Sequence, residues 1–150
     1  MESSAVQTYS STNAAQVEAA CALHGLTQDE FRVLHRESVA AKELAYCPYS
    51  KFQVGAALLT RLGKYIAGAN MENASYPVGT CAERVALARA HMDGHRDFKA
   101  IAVVTNSTLP ASPCGMCRQF MREFCDLSFP VLMFDANGDF AVMKLGEVGA

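Results

Sequence analysis

The chain contains no apolar run that approaches the ~18 residues a membrane-spanning helix needs, so no membrane span is expected. It also lacks a basic start followed by a short apolar stretch, the pattern of a secretory leader. Its first twenty residues are rich in Ser, Thr, Ala, Gln and Asn with single hydrophobics among them. Such a segment buries too little apolar surface to offset its ordering entropy. Residues 1–25 are therefore expected to be a poorly ordered extension, followed by one domain over 26–150. Lys and Arg are few: 13 against 15 Asp and Glu, a net charge of −2. They form no dense block, so the basic face that neutralises phosphates in a nucleic-acid binder is missing. The expected partner is a small molecule, with no nucleic acid and no membrane, and the expected compartment is the cytoplasm. Internal repeats are absent as well.

What is present suits a single packed domain. Its 150 residues are 51% hydrophobic, enough for a full core. Thr27-Gln28-Asp29-Glu30 has capping-box spacing, and Phe31, Leu34, Ala41 and Ala45 follow at helical intervals. Pro48 should stop that helix near Tyr46. Val54 to Leu59 reads as a strand whose two faces are both small or apolar, so it is covered on both sides. Gly63 marks a turn into a second strand, Lys64 to Ala69. A loop with Pro77 and Gly79 leads to a helix from about Cys81, with Val85, Ala88 and Met92 on its packed side. Ile101–Thr105 and Val131–Phe134 read as buried strands, and a helix starts near Pro113. Asn137-Gly138 is a two-residue hairpin signal, so Phe140–Lys144 should pair antiparallel with the strand before it. Helices alternating with buried strands point to an α/β fold with helices on both faces of the sheet.

Six cysteines are present: Cys21, Cys47, Cys81, Cys114, Cys117 and Cys125. Without a secretory leader, metal binding or free thiols is expected rather than disulfides. Two short motifs stand out, Cys81-Ala82-Glu83 and Pro113-Cys114-Gly115-Met116-Cys117. Both fall at expected helix starts, where the positive end of the helix dipole lowers thiol pKa and makes thiolates available. Three thiolates hold Zn2+ and leave a fourth position open for water, whereas structural zinc sites fill all four. Glu83, two residues from a ligand on the first helical turn, reaches the site without binding the metal. Three thiolates on one Zn2+ leave an excess negative charge, and Arg84 is the nearest cation in sequence to offset it. A redox Cys-x-x-Cys would need only the second motif and leaves Cys81 and Glu83 without a role. Cys21, Cys47 and Cys125 read as ordinary thiols. The four histidines lie outside both motifs, with His35 and His91 as surface or boundary residues of helices.

The two motifs together resemble the signature of zinc-dependent deaminases. From Tyr46 onward, over roughly two thirds of the chain, the sequence is similar to the small cytidine deaminases of pyrimidine salvage. The likeness rests on Tyr46-Cys47-Pro48-Tyr49-Ser50-Lys51-Phe52-Gln53-Val54-Gly55-Ala56-Ala57-Leu58, on Asn70-Met71-Glu72-Asn73-Ala74-Ser75-Tyr76-Pro77 and on the two cysteine motifs. The middle block separates this family from other deaminases that share the zinc site.

The resemblance implies a three-layer α/β/α sandwich with a five-stranded mixed sheet. It implies hydrolytic deamination of cytidine and deoxycytidine, with a zinc-activated water as nucleophile and Glu83 as proton shuttle. Asn70 and Glu72 would hydrogen-bond the ribose 3′-hydroxyl, and Phe52 would pack on the pyrimidine. Ala82 would offer its backbone N–H to the reacting end of the base. Tyr76 would lie near a subunit boundary in a homotetramer with shared active sites. Family members usually continue past the last strand into a Phe-Gly-Pro type tail whose Phe reaches a neighbour's substrate. Here the last residues are Gly146-Glu147-Val148-Gly149-Ala150, and that Phe is not carried over. A deaminase of nucleic acids would instead have its last two strands parallel, for which the short Asn137-Gly138 connection leaves no room.

Overall fold

The computed structural model describes residues 7–110 and 112–148 of the chain. The elements are β1 (Tyr9–Ser10), α1 (Ala14–His24), α2 (Gln28–Lys42), β2 (Val54–Thr60), β3 (Tyr65–Ala69), α3 (Ala82–Met92), β4 (Phe98–Thr105), α4 (Gly115–Phe124), β5 (Pro130–Phe134) and β6 (Asp139–Lys144). Single 3₁₀ turns occur at Tyr76–Val78 and Leu145–Glu147. The strands form one mixed sheet in the order β1-β6-β5-β4-β2-β3. Only β4 and β5 are parallel; the other neighbours are antiparallel.

The alternation of side chains along each strand sets up two cores. Ala57 and Leu59 of β2 join Val17, Cys21, Phe31, Leu34 and Phe134 beneath α1 and α2. Ala56 and Leu58 join Ala86, Leu87, Met121 and Met133 beneath α3 and α4. The expected three layers are therefore present. Two glycines let the helices sit close: a Cβ on Gly55 would lie 2.1 Å from the Ser38 carbonyl oxygen of α2, and one on Gly68 would lie 2.5 Å from the Ala82 carbonyl oxygen of α3.

Four expectations need correction. The sheet has six strands rather than five, because Tyr9 and Ser10 pair with Phe140 and Asp139 at its edge. The segment over 1–25, expected to be poorly ordered, contains β1 and the eleven-residue helix α1; residues 1–6 lie outside the described part. Asn13 caps the start of α1 by accepting from the Gln16 N–H, Gly25 ends it in the left-handed conformation, and Val17 and Cys21 dock in the core. The helix expected to run to Tyr46 ends at Lys42. Finally, α3 packs through Ala82, Ala86, Leu87 and Ala90, and Met92 is 83% exposed. Both stripes are apolar, but only the alanines are small enough for the close approach at Gly68.

The capping box formed as expected, with Thr27 Oγ1 accepting from the Glu30 N–H and Glu30 Oε1 accepting from the Thr27 N–H. The Asn137-Gly138 turn joins β5 and β6 as an antiparallel hairpin. The buried Asp135 carboxylate steadies it by accepting from the N–H groups of Asn137 and Asp139. No helix among the described residues is long and apolar enough to cross a membrane.

The topology decides where chemistry can occur. Strand β2 runs antiparallel to both β3 and β4, so the latter two end at the same edge of the sheet. Helices α3 and α4 begin beyond those ends, and the loop entering β2 reaches the same edge. Open α/β sheets bind ligands outside the carboxyl ends of their strands for this reason.

Candidate metal centre and active site

Cys81 is the N-cap of α3 and Cys114 the N-cap of α4. Both have extended backbone, as a cap requires, and Cys117 follows on the first turn of α4. Their Sγ atoms converge: Cys81 to Cys114 is 3.6 Å and Cys114 to Cys117 is 3.4 Å. All three lie within 4.8 Å of one another and form a group able to hold a metal ion. Ligands ~2.3 Å from a tetrahedral zinc lie ~3.8 Å apart, so the three thiols fit that ion closely. No fourth His, Cys, Asp or Glu joins the group among the described residues. The donor set is that of a centre with one open position.

Glu83 is 4% exposed and reaches the cluster, with Cys117 Sγ 3.6 Å from its Oε2. Burial pushes its carboxyl above the usual range, and the neighbouring Cys81 charge adds to the rise. Both effects favour the neutral, protonated form over the carboxylate. The Cys81 thiol is held down at about 5, first by the hydrogen bond from Cys117 and then by Arg84. The Cys117 thiol is raised, because it shares that hydrogen bond with an ionised Cys81 and is itself buried. Arg84 donates from Nη2 to Cys81 Sγ at 3.6 Å, so the cation expected to offset the thiolates stands against them.

Asn70 and Glu72 follow β3 directly and lie at the same sheet edge. Asn70 Oδ1 accepts from the Val54 N–H (2.9 Å), and its Nδ2 donates to the Phe52 carbonyl (2.8 Å). Glu72 Oε1 accepts from the N–H groups of Tyr49 (3.0 Å) and Ser50 (3.1 Å). Hydrogen bonds from Ser50, first by its side chain and then by its backbone, hold the Glu72 carboxyl below the usual range. Phe52 is 41% exposed, two residues before β2. Ala82 is buried on the first turn of α3, whose leading N–H groups have no partner within the helix. Tyr76 is 90% exposed on the 3₁₀ turn and joins neither apolar core among the described residues.

Sequence reasoning missed the backbone that joins these parts. Met71 pairs with Tyr46 on one side and Thr80 on the other. Thr80 is bonded to the ligand Cys81, so residues 70–72 link the loop before β2 to the cysteine cluster. No motif announces such pairing. The remaining cysteines are free thiols, with Cys125 pushed up to about 12 by burial. His35 lies partly buried, its ring stacked on Phe134 with centroids 4.1 Å apart.

A family profile described as "Cytidine and deoxycytidylate deaminase zinc-binding region" matches residues 28–133. A cytidine deaminase of Halalkalibacterium halodurans is 48% identical over 117 residues, 78% of this chain and 89% of the relative. One of Sporosarcina psychrophila is 52% identical over 103 residues, 69% of this chain and 76% of the relative. Among solved structures, the crystal structure of cytidine deaminase from Burkholderia pseudomallei superposes with a TM-score of 0.76 at 46% identity. That match covers 77% of this chain and 93% of the other.

Proposed function

The chain belongs to the cytidine and deoxycytidylate deaminase family, and on that premise we propose that it hydrolyses cytidine and deoxycytidine to uridine and deoxyuridine, releasing ammonia, within pyrimidine salvage. The observation that carries this reading is the buried Glu83 carboxylate beside a cluster of three thiols with no fourth protein ligand among the described residues. Residues 26–150 make up the deaminase domain, against which α1 packs.

Cys81, Cys114 and Cys117 would hold the zinc ion, which supplies a Lewis acid able to lower the pKa of a coordinated water towards ~7. Glu83 takes a proton from the attacking water and delivers it to N3 of the base as C4 is attacked. It then moves the second proton to the departing amine. Its raised pKa supports this dual use, since it must be base and acid within one cycle. Arg84 offsets the thiolate charge. The Ala82 N–H faces the reacting end of the base and Phe52 its ring. Asn70 and Glu72 bind the ribose 3′-hydroxyl.

A homotetramer whose neighbours complete each site is part of the same reading. The exposed Tyr46, Tyr49, Met71, Tyr76 and Val78 on the loops of the sheet edge support it, as does the exposed Met92 at the end of α3. Six free cysteines suit the reducing cytoplasm.

The test is the near-ultraviolet absorbance of cytidine mixed with zinc-loaded protein. Loss of the 4-amino group changes the spectrum, and rapid loss is expected. An unchanged spectrum with folded, zinc-loaded protein would remove the cytidine assignment and leave the metal centre standing.

A further inference from the structure

The loop before β2 contains a conformational oddity. Lys51 has φ 62°, in the left-handed region that non-glycine residues seldom adopt. Residues held there persist only when their surroundings over-determine them. Within the loop the Lys51 N–H bonds the Cys47 carbonyl, and the Phe52 N–H bonds Ser50 Oγ. The stronger hold comes from outside. Glu72 Oε1 takes the N–H groups of Tyr49 and Ser50, just ahead of Lys51. Asn70 bridges Phe52 and Val54, just after it. Tyr46 is pinned by the backbone of the same segment, its N–H to Asn70 and its carbonyl to the Glu72 N–H.

We propose that Glu72 is a positioning residue: its carboxylate holds the 49–52 loop in its strained form and so sets Phe52 at the edge of the sheet, before any sugar is bound. Residues 70–72 pair with Thr80 on their other side, and the hold therefore fixes the loop relative to the cysteine cluster. A carboxylate suits the task because one oxygen accepts two convergent N–H groups, and charge-assisted bonds are the stronger kind. This deepens the reading in which Phe52 contacts the pyrimidine, and it rests on that reading for its kinetic consequence alone.

The experiment compares Glu72→Ala and Glu72→Gln with the parent, all zinc-loaded. Hydrogen–deuterium exchange is read on peptides covering residues 46–53 without substrate. Glu72 is half-buried and belongs to neither apolar core, so both variants should fold, and thermal unfolding checks this. Exchange in that loop should rise roughly tenfold in Glu72→Ala, as bonds to a charged acceptor are lost. Glu72→Gln, which keeps an acceptor oxygen in place, should restore most of the protection. The second measurement is KM for 2′,3′-dideoxycytidine, which has no 3′-hydroxyl. A positioning role predicts that Glu72→Ala still raises KM for this substrate, by more than Glu72→Gln does. Unchanged exchange in Glu72→Ala would overturn the proposal. So would a KM penalty that vanishes with dideoxycytidine, since Glu72 would then act on the sugar alone. If the parent turns over no cytidine, the deaminase reading fails, and the exchange result still decides the positioning role.

Discussion

Cys117 Sγ lies 3.6 Å from Glu83 Oε2, although the residues are 34 positions apart and belong to different helices. The contact exists because β3 and β4 deliver two helix starts to one edge of the sheet. The proposed metal ligand and the proposed proton-handling group thus form one unit, and each can be removed separately to learn what it does.

Glu83→Ala should bind zinc in parent stoichiometry, since the three thiols are untouched. Its kcat should fall by at least ~100-fold, the lower range for loss of a general acid–base. Metal analysis and turnover on one sample check this; substantial activity would remove Glu83 from its role.

Cys114→Ala should lose zinc and with it part of the folding free energy, because the site assembles only in the native chain. Its melting temperature should match that of chelator-treated parent protein. Arg84→Gln should keep the metal when zinc is in excess but surrender it to a chelator faster, as the cation beside Cys81 Sγ is gone.

Gly68→Ala should destabilise the protein by about 1–3 kcal/mol, the usual cost of overpacking. The new Cβ would meet the Ala82 carbonyl oxygen and the Ala86 nitrogen, both at 2.5 Å and both backbone atoms that cannot swing away. Because Ala82 precedes Glu83, activity should fall beyond what stability explains. Gly115→Ala is the control for stability: its nearest neighbour, Arg118 Nη2, is 3.8 Å away. Denaturant unfolding of both variants gives the comparison.

Burial holds the His35 imidazole below its ordinary value of 6.5. The unfolded chain then binds a proton that the native chain refuses, so stability rises with pH through this window. The contribution is present above pH 6.5 and is lost as pH falls below it. His35→Phe keeps a ring on Phe134 but cannot titrate. As pH falls from ~7 to ~5 the parent should lose more stability than this variant, which denaturant unfolding at the two pH values checks.

Helix α2 and the β5–β6 hairpin were legible because each has a local cause. Thr27 and Glu30 cap α2 through side chains three residues apart, and Asn137-Gly138 turns the chain without help from elsewhere. Cys81, Cys114, Cys117 and Glu83 were legible as a motif: their spacing matches the zinc-deaminase signature, and the chemistry of three thiolates with one open ligand position agrees with it. Helix α1 was not, because its buried face is little more than Val17 and Cys21 and stands out only once α2 and Phe140 are beside it. The packed side of α3 was misread because two apolar stripes compete, and the choice lies with Gly68, on another strand. The hold of Glu72 on the loop 23 and 22 residues before it belongs to tertiary structure alone.

The parallel pairing of β4 with β5 also bears on how the chain folds. Cys81 precedes β4 and Cys114 follows it, 33 residues later. The three thiols can meet only once β4 is in place and the starts of α3 and α4 lie at one end of the sheet, which requires closing long loops and is expected to be slow for that reason. Metal capture is then expected late, as a latch on a nearly finished sheet rather than as its nucleus. Refolding with or without zinc should proceed at similar rates, whereas unfolding should be much slower with the ion in place.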